Sequence, residues 1–121
     1  RVAQRRHLAD ALVSTGIKTQ GTSNDGLQMR QLAAINPAVA GIRRSGSISV
    51  DLAWLAAGRF DGLYEAGLAP WDVAPGLLMV KEAGGFVTDF AGQGGSVWNG
   101  QVVAGNEAIQ GELLKQLKPI H

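Results

Sequence analysis

Apolar positions along the chain recur in two rhythms, a period of two and a period near 3.6, which together predict strands alternating with helices. Leu8 to Thr15 reads as a strand closed by Gly16. Ser23 or Asn24 is placed to cap a helix carrying Leu27, Leu32 and Ile35 on one face, with Asn36-Pro37 as its stop. Val39 to Arg43 reads as a short strand. A second helix is predicted from Ser47 to Ala57, with Ile48, Leu52 and Leu55 at i, i+4 and i+7 and Gly58 ending it. Val50, Ala53 and Trp54 make that helix apolar nearly all round, so burial on two faces is expected.

Phe60 to Glu65 reads as the next strand and residues 66–70 as its loop. Trp71-Asp72 opens a third helix in which Val73, Leu77 and Val80 share a face and Gly84-Gly85 forms the stop. Pro75 is expected in the first turn, where a missing N–H costs nothing. A strand over Phe86 to Asp89, a glycine-rich loop over 91–100 and a strand over Gln101 to Ala104 follow. Asn106 caps a last helix carrying Ile109, Leu113 and Leu117, which Pro119 ends. The string βαβαβαββα predicts one α/β domain over residues 1–121, a largely parallel β-sheet flanked by helices.

Composition narrows the class. A chain of 121 residues, 45% hydrophobic and 17% charged, is the size of one ordinary domain and too apolar for disorder. No apolar run is long enough for a membrane helix, so no membrane partner is expected. The absence of cysteine removes disulfides, thiolate metal sites and a thiol nucleophile, and fits a cytoplasmic location. Residues 1–60 hold eight Lys/Arg against three Asp/Glu, whereas residues 61–121 hold three against seven. Half of such a chain would be repelled by phosphate backbones, so no nucleic acid partner is expected.

In an α/β fold, ligands bind beyond the carboxyl ends of strands, at helix N-termini. Two stretches qualify. Arg43-Arg44-Ser45-Gly46-Ser47 runs from a strand end through glycine into a helix start, where the N–H groups of residues 46–48 can receive a phosphate or hydroxyl. Helix capping by Ser45 or Ser47 is the commoner role of such residues. In the second stretch, Glu65 ends a strand and Asp72 begins a helix on the same edge, an oxygen-ligand pair of the kind a hard cation takes. Taken singly, Asp72 is more often a cap and Glu65 a solvated strand end. His7 and His121 are isolated, Ser14-Thr15-Gly16 has no histidine paired with it, and Gly92-Gln93-Gly94-Gly95 opens no helix, so dinucleotide and P-loop readings fail. Trp54, Trp71 and Trp98 lie far apart in the chain and read as core or rim.

The run from Gly46 to Glu65, followed six residues on by Trp71-Asp72-Val-Ala-Pro-Gly and then Lys81-Glu-Ala-Gly-Gly85, resembles the second-half signature of the inositol monophosphatase family. The likeness extends from about Ala11 to Leu117. It implies the C-terminal domain of a layered αβαβα fold, in a Mg²⁺-dependent, Li⁺-sensitive phosphomonoesterase that works as a homodimer. It further implies that Asp72 is a metal ligand, that Glu65 hydrogen-bonds substrate hydroxyls, and that Gly46, Ser47 and Ile48 line the substrate pocket. Two residues depart from the family pattern: Pro75 and Ile48 stand where alanine is usual.

The family's first-half motifs, a glutamate-rich metal motif and Asp-Pro-(Ile/Leu)-Asp-Gly-Thr, do not occur here. Asp25-Gly26 and Asp61-Gly62 are the two Asp-Gly pairs, and threonine follows neither. Two-metal phosphoryl transfer needs several carboxylates. Together with a start at Arg1 in place of methionine, this gives the expectation of half an enzyme, inactive alone and binding Mg²⁺ weakly, whose partner is the missing N-terminal half. The expected substrate is inositol phosphate or a similar small phosphomonoester. Histidinol phosphate, fructose bisphosphate and a 3′-phosphoadenosine nucleotide are the alternatives within the superfamily, and a non-catalytic association domain is the alternative outside it.

Overall fold

A computed structural model describes residues 1–16 and 25–120. Five strands form one sheet: β1 (Leu12–Thr15), β2 (Gly41–Arg43), β3 (Gly62–Glu65), β4 (Phe86–Thr88) and β5 (Val102–Gly105), in the spatial order β2-β1-β3-β5-β4. β1 pairs in parallel with β2 and β3, while β5 runs antiparallel to both β3 and β4. Four strands therefore point one way and β5 alone is reversed. The largely parallel expectation holds for strand direction, but half of the pairings are antiparallel. Residues 89–101 return the chain from β4 to β5, which pairs antiparallel with both of its neighbours.

The helices are α1 (Asp25–Ile35), α2 (Ile48–Ala56), α3 (Pro70–Glu82), α4 (Ser96–Asn99) and α5 (Glu107–Leu117), with 3₁₀ turns at Leu8–Asp10 and Asn36–Ala38. One face of the sheet packs on α2 and α3 through Leu52, Leu55, Leu63, Val73, Leu77, Val80, Val102 and Ala104. The other packs on α1 and α5 through Val13, Ile35, Tyr64, Val103, Ile109, Leu113 and Leu117. The expected stripes of α3 and α5 are thus the buried ones. Asn106 caps α5 by accepting from the Ile109 N–H at 2.8 Å, and its amide also donates to the Ala3 and Arg5 carbonyls.

Several local expectations need correction. Leu8–Asp10 is a 3₁₀ turn rather than the start of β1, and α4 interrupts the stretch read as one glycine-rich loop. α3 begins at Pro70, so Pro75 is its sixth residue and lies inside the helix, where it removes a backbone donor. The proposed caps Ser23 and Asn24 lie outside the described residues, as does His121. α2 is buried on one face only. Its outer side leaves Val50 40% and Trp54 41% exposed. Trp54 leans on Phe60, with ring centroids 5.8 Å apart, and the Arg59 guanidinium stands over it at 5.9 Å. These contacts only partly cover it.

Asp61, one of the two Asp-Gly pairs, lies at the amino-terminal edge of β3, away from the strand ends that carry ligands. It is buried and accepts from the Leu12 N–H at 2.7 Å and from Arg5 at 3.4 Å, while its own N–H donates to the Leu12 carbonyl at 2.8 Å. Those bonds register β1 against β3.

Asp89 organises the opposite edge. Its carboxylate accepts from the N–H groups of Ala91 at 3.0 Å and Gln93 at 2.8 Å, and from the Asn99 amide at 2.9 Å. The loop so folded brings the Gly100 carbonyl within 3.2 Å of the Leu68 N–H, which fixes the segment leading into α3. Burial pushes the Asp89 carboxyl up, but the bonds from Gln93, Asn99, Ala91 and Gly95 outweigh it and hold the group below the ordinary carboxylate value. The unfolded chain therefore binds the proton more tightly. The stabilisation is fully present above pH about 4 and is lost as the pH falls through the lower folded value. Asp89→Ala is expected to cost about 3 kcal/mol in urea denaturation at pH 7. Asp89→Asn should flatten the loss of stability on acidification.

Candidate functional site

The carboxyl ends of β1, β2 and β3 point to one edge of the sheet, where the segments leading into α2 and α3 also arrive. At the α2 entrance Gly46 adopts φ +85°, and the Ser45 hydroxyl accepts from the Ser47 N–H at 3.1 Å. Ser47 is a true N-cap, its hydroxyl accepting from the Val50 N–H at 3.4 Å. The N–H groups of Ile48 and Ser49, in the first helical turn, have no intrahelical acceptor by position and stand at the positive end of the helix dipole. Arg43 and Arg44 are exposed beside them.

At the α3 entrance, Ala69 occupies the N-cap position without a side-chain cap bond. Asp72 is therefore the third residue of the helix and not its cap, although its carboxylate in the first turn still complements the dipole. The side chain is exposed. The Ser49 hydroxyl donates to the Asp72 carbonyl at 3.4 Å, which joins the two helix entrances directly.

Close approach of the helices makes this join possible. A Cβ added to Gly76 of α3 would lie 2.7 Å from the Leu52 Cβ of α2, a separation no packed side chain tolerates. Leu52 thus fills the notch that glycine leaves, and α2 and α3 meet backbone to side chain. Glu65 ends β3 on the same face of the sheet. It pairs in register with Val102, which packs in the α2/α3 core. Its carboxylate lies over Gly16 at the end of β1, in space that a Cβ on Gly16 would fill. The neighbouring Tyr64 points to the opposite face, where burial pushes its phenol up and the Thr15 hydroxyl works against that shift.

The structure thus gathers Gly46, Ser47, Ile48, Glu65 and Asp72 at one edge. His7 and Asp61 lie elsewhere. A Mg²⁺ site requires several oxygen ligands in near-octahedral array. Among the described residues no group of three or more His, Cys, Asp or Glu is placed to hold a metal ion. Asp72 offers one exposed carboxylate, which is a ligand rather than a complete site. Two buried polar groups on the same face, Ser14 and Asp51, were not singled out by sequence reading as members of this edge, because strand and helix positions alone do not reveal an unsatisfied hydrogen bond.

The sequence profile of the inositol monophosphatase family matches residues 1–121. The chain is 48% identical over 118 residues to an inositol-1-monophosphatase of Mesorhizobium japonicum, covering 98% of this chain and 44% of that protein. It is 41% identical over 121 residues to the Nus factor SuhB of Pseudomonas aeruginosa, covering 98% of this chain and 45% of that protein. The crystal structure of the extragenic suppressor protein suhB from Bartonella henselae superposes with a TM-score of 0.92 at 43% identity, over 98% of this chain and 45% of that chain. The chain therefore spans somewhat under half the length of these relatives. The matched shares give how much is covered and not which half, so the C-terminal placement rests on the two motifs alone. A relative named a Nus factor also leaves the exclusion of nucleic acid, drawn from charge, without support. Among the described residues no helix is long and apolar enough to cross a membrane.

The interlock of Gly76 and Leu52 is testable by a double-mutant cycle. Gly76→Val is expected to cost about 2–3 kcal/mol by overpacking and Leu52→Ala about 3 kcal/mol by cavity formation. The double variant should fall short of the sum by more than about 0.5 kcal/mol in urea denaturation.

Proposed function

Because the chain belongs to the inositol monophosphatase family, we propose that it is the substrate-orienting part of a Mg²⁺-dependent phosphomonoesterase acting on inositol monophosphate or a similar sugar phosphate. The observation that carries this reading is the convergence of Asp72, Glu65 and the α2 entrance on one sheet edge, tied by the bond from Ser49 to the Asp72 carbonyl. A Mg²⁺ ion held in the intact enzyme, with Asp72 as one of its ligands, would supply Lewis-acid activation of water. This chain's contributions are then separable. Asp72 supplies one ligand to the cation, Glu65 accepts from hydroxyls of the alcohol, and the free N–H groups of Ile48 and Ser49 receive substrate oxygens.

The other carboxylates come from the part of the family's length that this chain does not contain. The outer surface of α2 and α3 supports that view. Trp71 is 79% and Leu78 58% exposed, and Val50 and Trp54 extend the patch on α2. Large apolar side chains left exposed on adjacent helices are suited to packing against another element. The remainder of the fold covers them, and a homodimer forms from the completed protein. The names of the SuhB relatives favour a second reading, in which the chain serves an association role without turnover.

Grafting this chain in place of the 118 matched residues of the Mesorhizobium japonicum relative separates the two. The graft is expected to release phosphate from inositol 1-phosphate in a Mg²⁺-dependent, Li⁺-inhibited manner, whereas the 121-residue chain alone releases none. Asp72→Ala in the graft should lower kcat about a hundredfold or more. A change within a few-fold would remove Asp72 from the metal site. A folded graft without turnover would favour the association reading.

A further inference from the structure

Asp51 occupies a position that stability alone does not explain. It lies on the stripe of α2 that faces the sheet, three residues after Ile48 and four before Leu55, where a hydrocarbon side chain would continue the core. Instead a carboxyl group stands there with 2% of its surface exposed, and among the described residues its Oδ1 has no hydrogen-bond partner. Buried polar atoms are almost always paired, and an orphaned one costs free energy. A second such atom occurs on the same face of the sheet. Ser14 of β1 is fully buried beside Leu63, and its Oγ has no partner among the described residues either.

Both positions lie near the edge that carries the candidate site. Asp51 is one helical turn below the α2 entrance, about 4.5 Å along the axis from Ile48. Ser14 precedes Thr15, the last residue of β1, and Gly16, the glycine against which Glu65 rests. Farther from that edge, the same layer is closed by hydrocarbon, with Leu52, Leu55, Phe60 and Val80. Core positions that break local rules without a compensating bond are where functional groups are expected.

We propose that Asp51, with Ser14 beneath the same edge, forms the floor of the substrate pocket, its carboxyl accepting a hydrogen bond from a hydroxyl of the polyol phosphate. This rests on the phosphatase reading and adds to it a hydroxyl-binding residue besides Glu65. The position is held at a cost in stability, which the bound hydroxyl offsets.

Two measurements test it. In the 121-residue chain, Asp51→Leu is expected to raise the thermal midpoint, because it replaces a buried carboxyl whose Oδ1 is unpaired. In the graft described above, Asp51→Leu should raise KM for inositol 1-phosphate about tenfold, the equivalent of one lost hydrogen bond, while Asp51→Asn, whose amide oxygen still accepts, should raise it less. That penalty should vanish for the deoxy-inositol phosphate lacking the bound hydroxyl, a pattern that a purely structural residue would not produce. A lowered midpoint in the isolated chain would overturn the proposal. So would an unchanged KM, or an equal penalty on every deoxy analogue. An unaltered graft that folds but releases no phosphate would instead refute the phosphatase reading. In that case the proposal for Asp51 is decided by the midpoint and by whether inositol 1-phosphate stabilises the unaltered graft more than its Asp51→Leu variant.

Discussion

The seating of Leu52 in the notch at Gly76 is the contact on which the rest of the molecule depends. Two helices of ordinary side chains pack with axes 8–10 Å apart, and a glycine at the crossing lets these two come closer. That closeness places the first turn of α2 against the first turn of α3, near enough for the Ser49 hydroxyl to reach the Asp72 carbonyl. Both helix entrances then open on the edge where β3 ends in Glu65. Were the helices held apart by a larger side chain, each element would still form, but the two helix entrances would no longer meet through Ser49 and Asp72.

A second device holds the approach to α3 from outside. Residues 66–69 have no secondary structure of their own, and the loop folded around Asp89 supplies their backbone partner through Gly100. An acidic residue far from the candidate edge in sequence therefore governs how Asp72 is presented. On the opposite side, Asp61 fastens β1 to β3 through paired bonds with Leu12. The two buried carboxylates with full complements of bonds are structural, while Asp51, which lacks one, lies beside the candidate site. Satisfaction of hydrogen bonds, rather than burial alone, separates the two classes.

The elements with strong periodicity were legible from the chain itself. Val73, Leu77 and Val80 on α3, and Ile109, Leu113 and Leu117 on α5, are buried as their spacing predicts, and Ser47 and Asn106 cap the helices they precede. The candidate edge was legible for the same reason, since strand ends and helix starts can be located from glycines, prolines and caps. Other features depend on tertiary contacts that leave little trace in local pattern. The reversal of β5 is a choice of pairing, and α4 is a single turn set by its surroundings. Residues of α2 that read as doubly buried are covered on one side, because apolar character records what a surface is suited to and not what covers it here. Trp54 and Val50 are accordingly 41% and 40% exposed.

The central claim is that Asp72 and Glu65 serve one site, with the cation on the first and the alcohol on the second. Anomalous diffraction from a crystal of the grafted full-length protein, grown with Mn²⁺ and inositol 1-phosphate, tests it most directly. The account predicts a metal peak in direct coordination with an Asp72 carboxylate oxygen and an inositol hydroxyl within hydrogen-bond distance of Glu65. A metal bound with Asp72 outside its coordination shell, or the inositol ring seated away from the ends of β1 and β3, would contradict it.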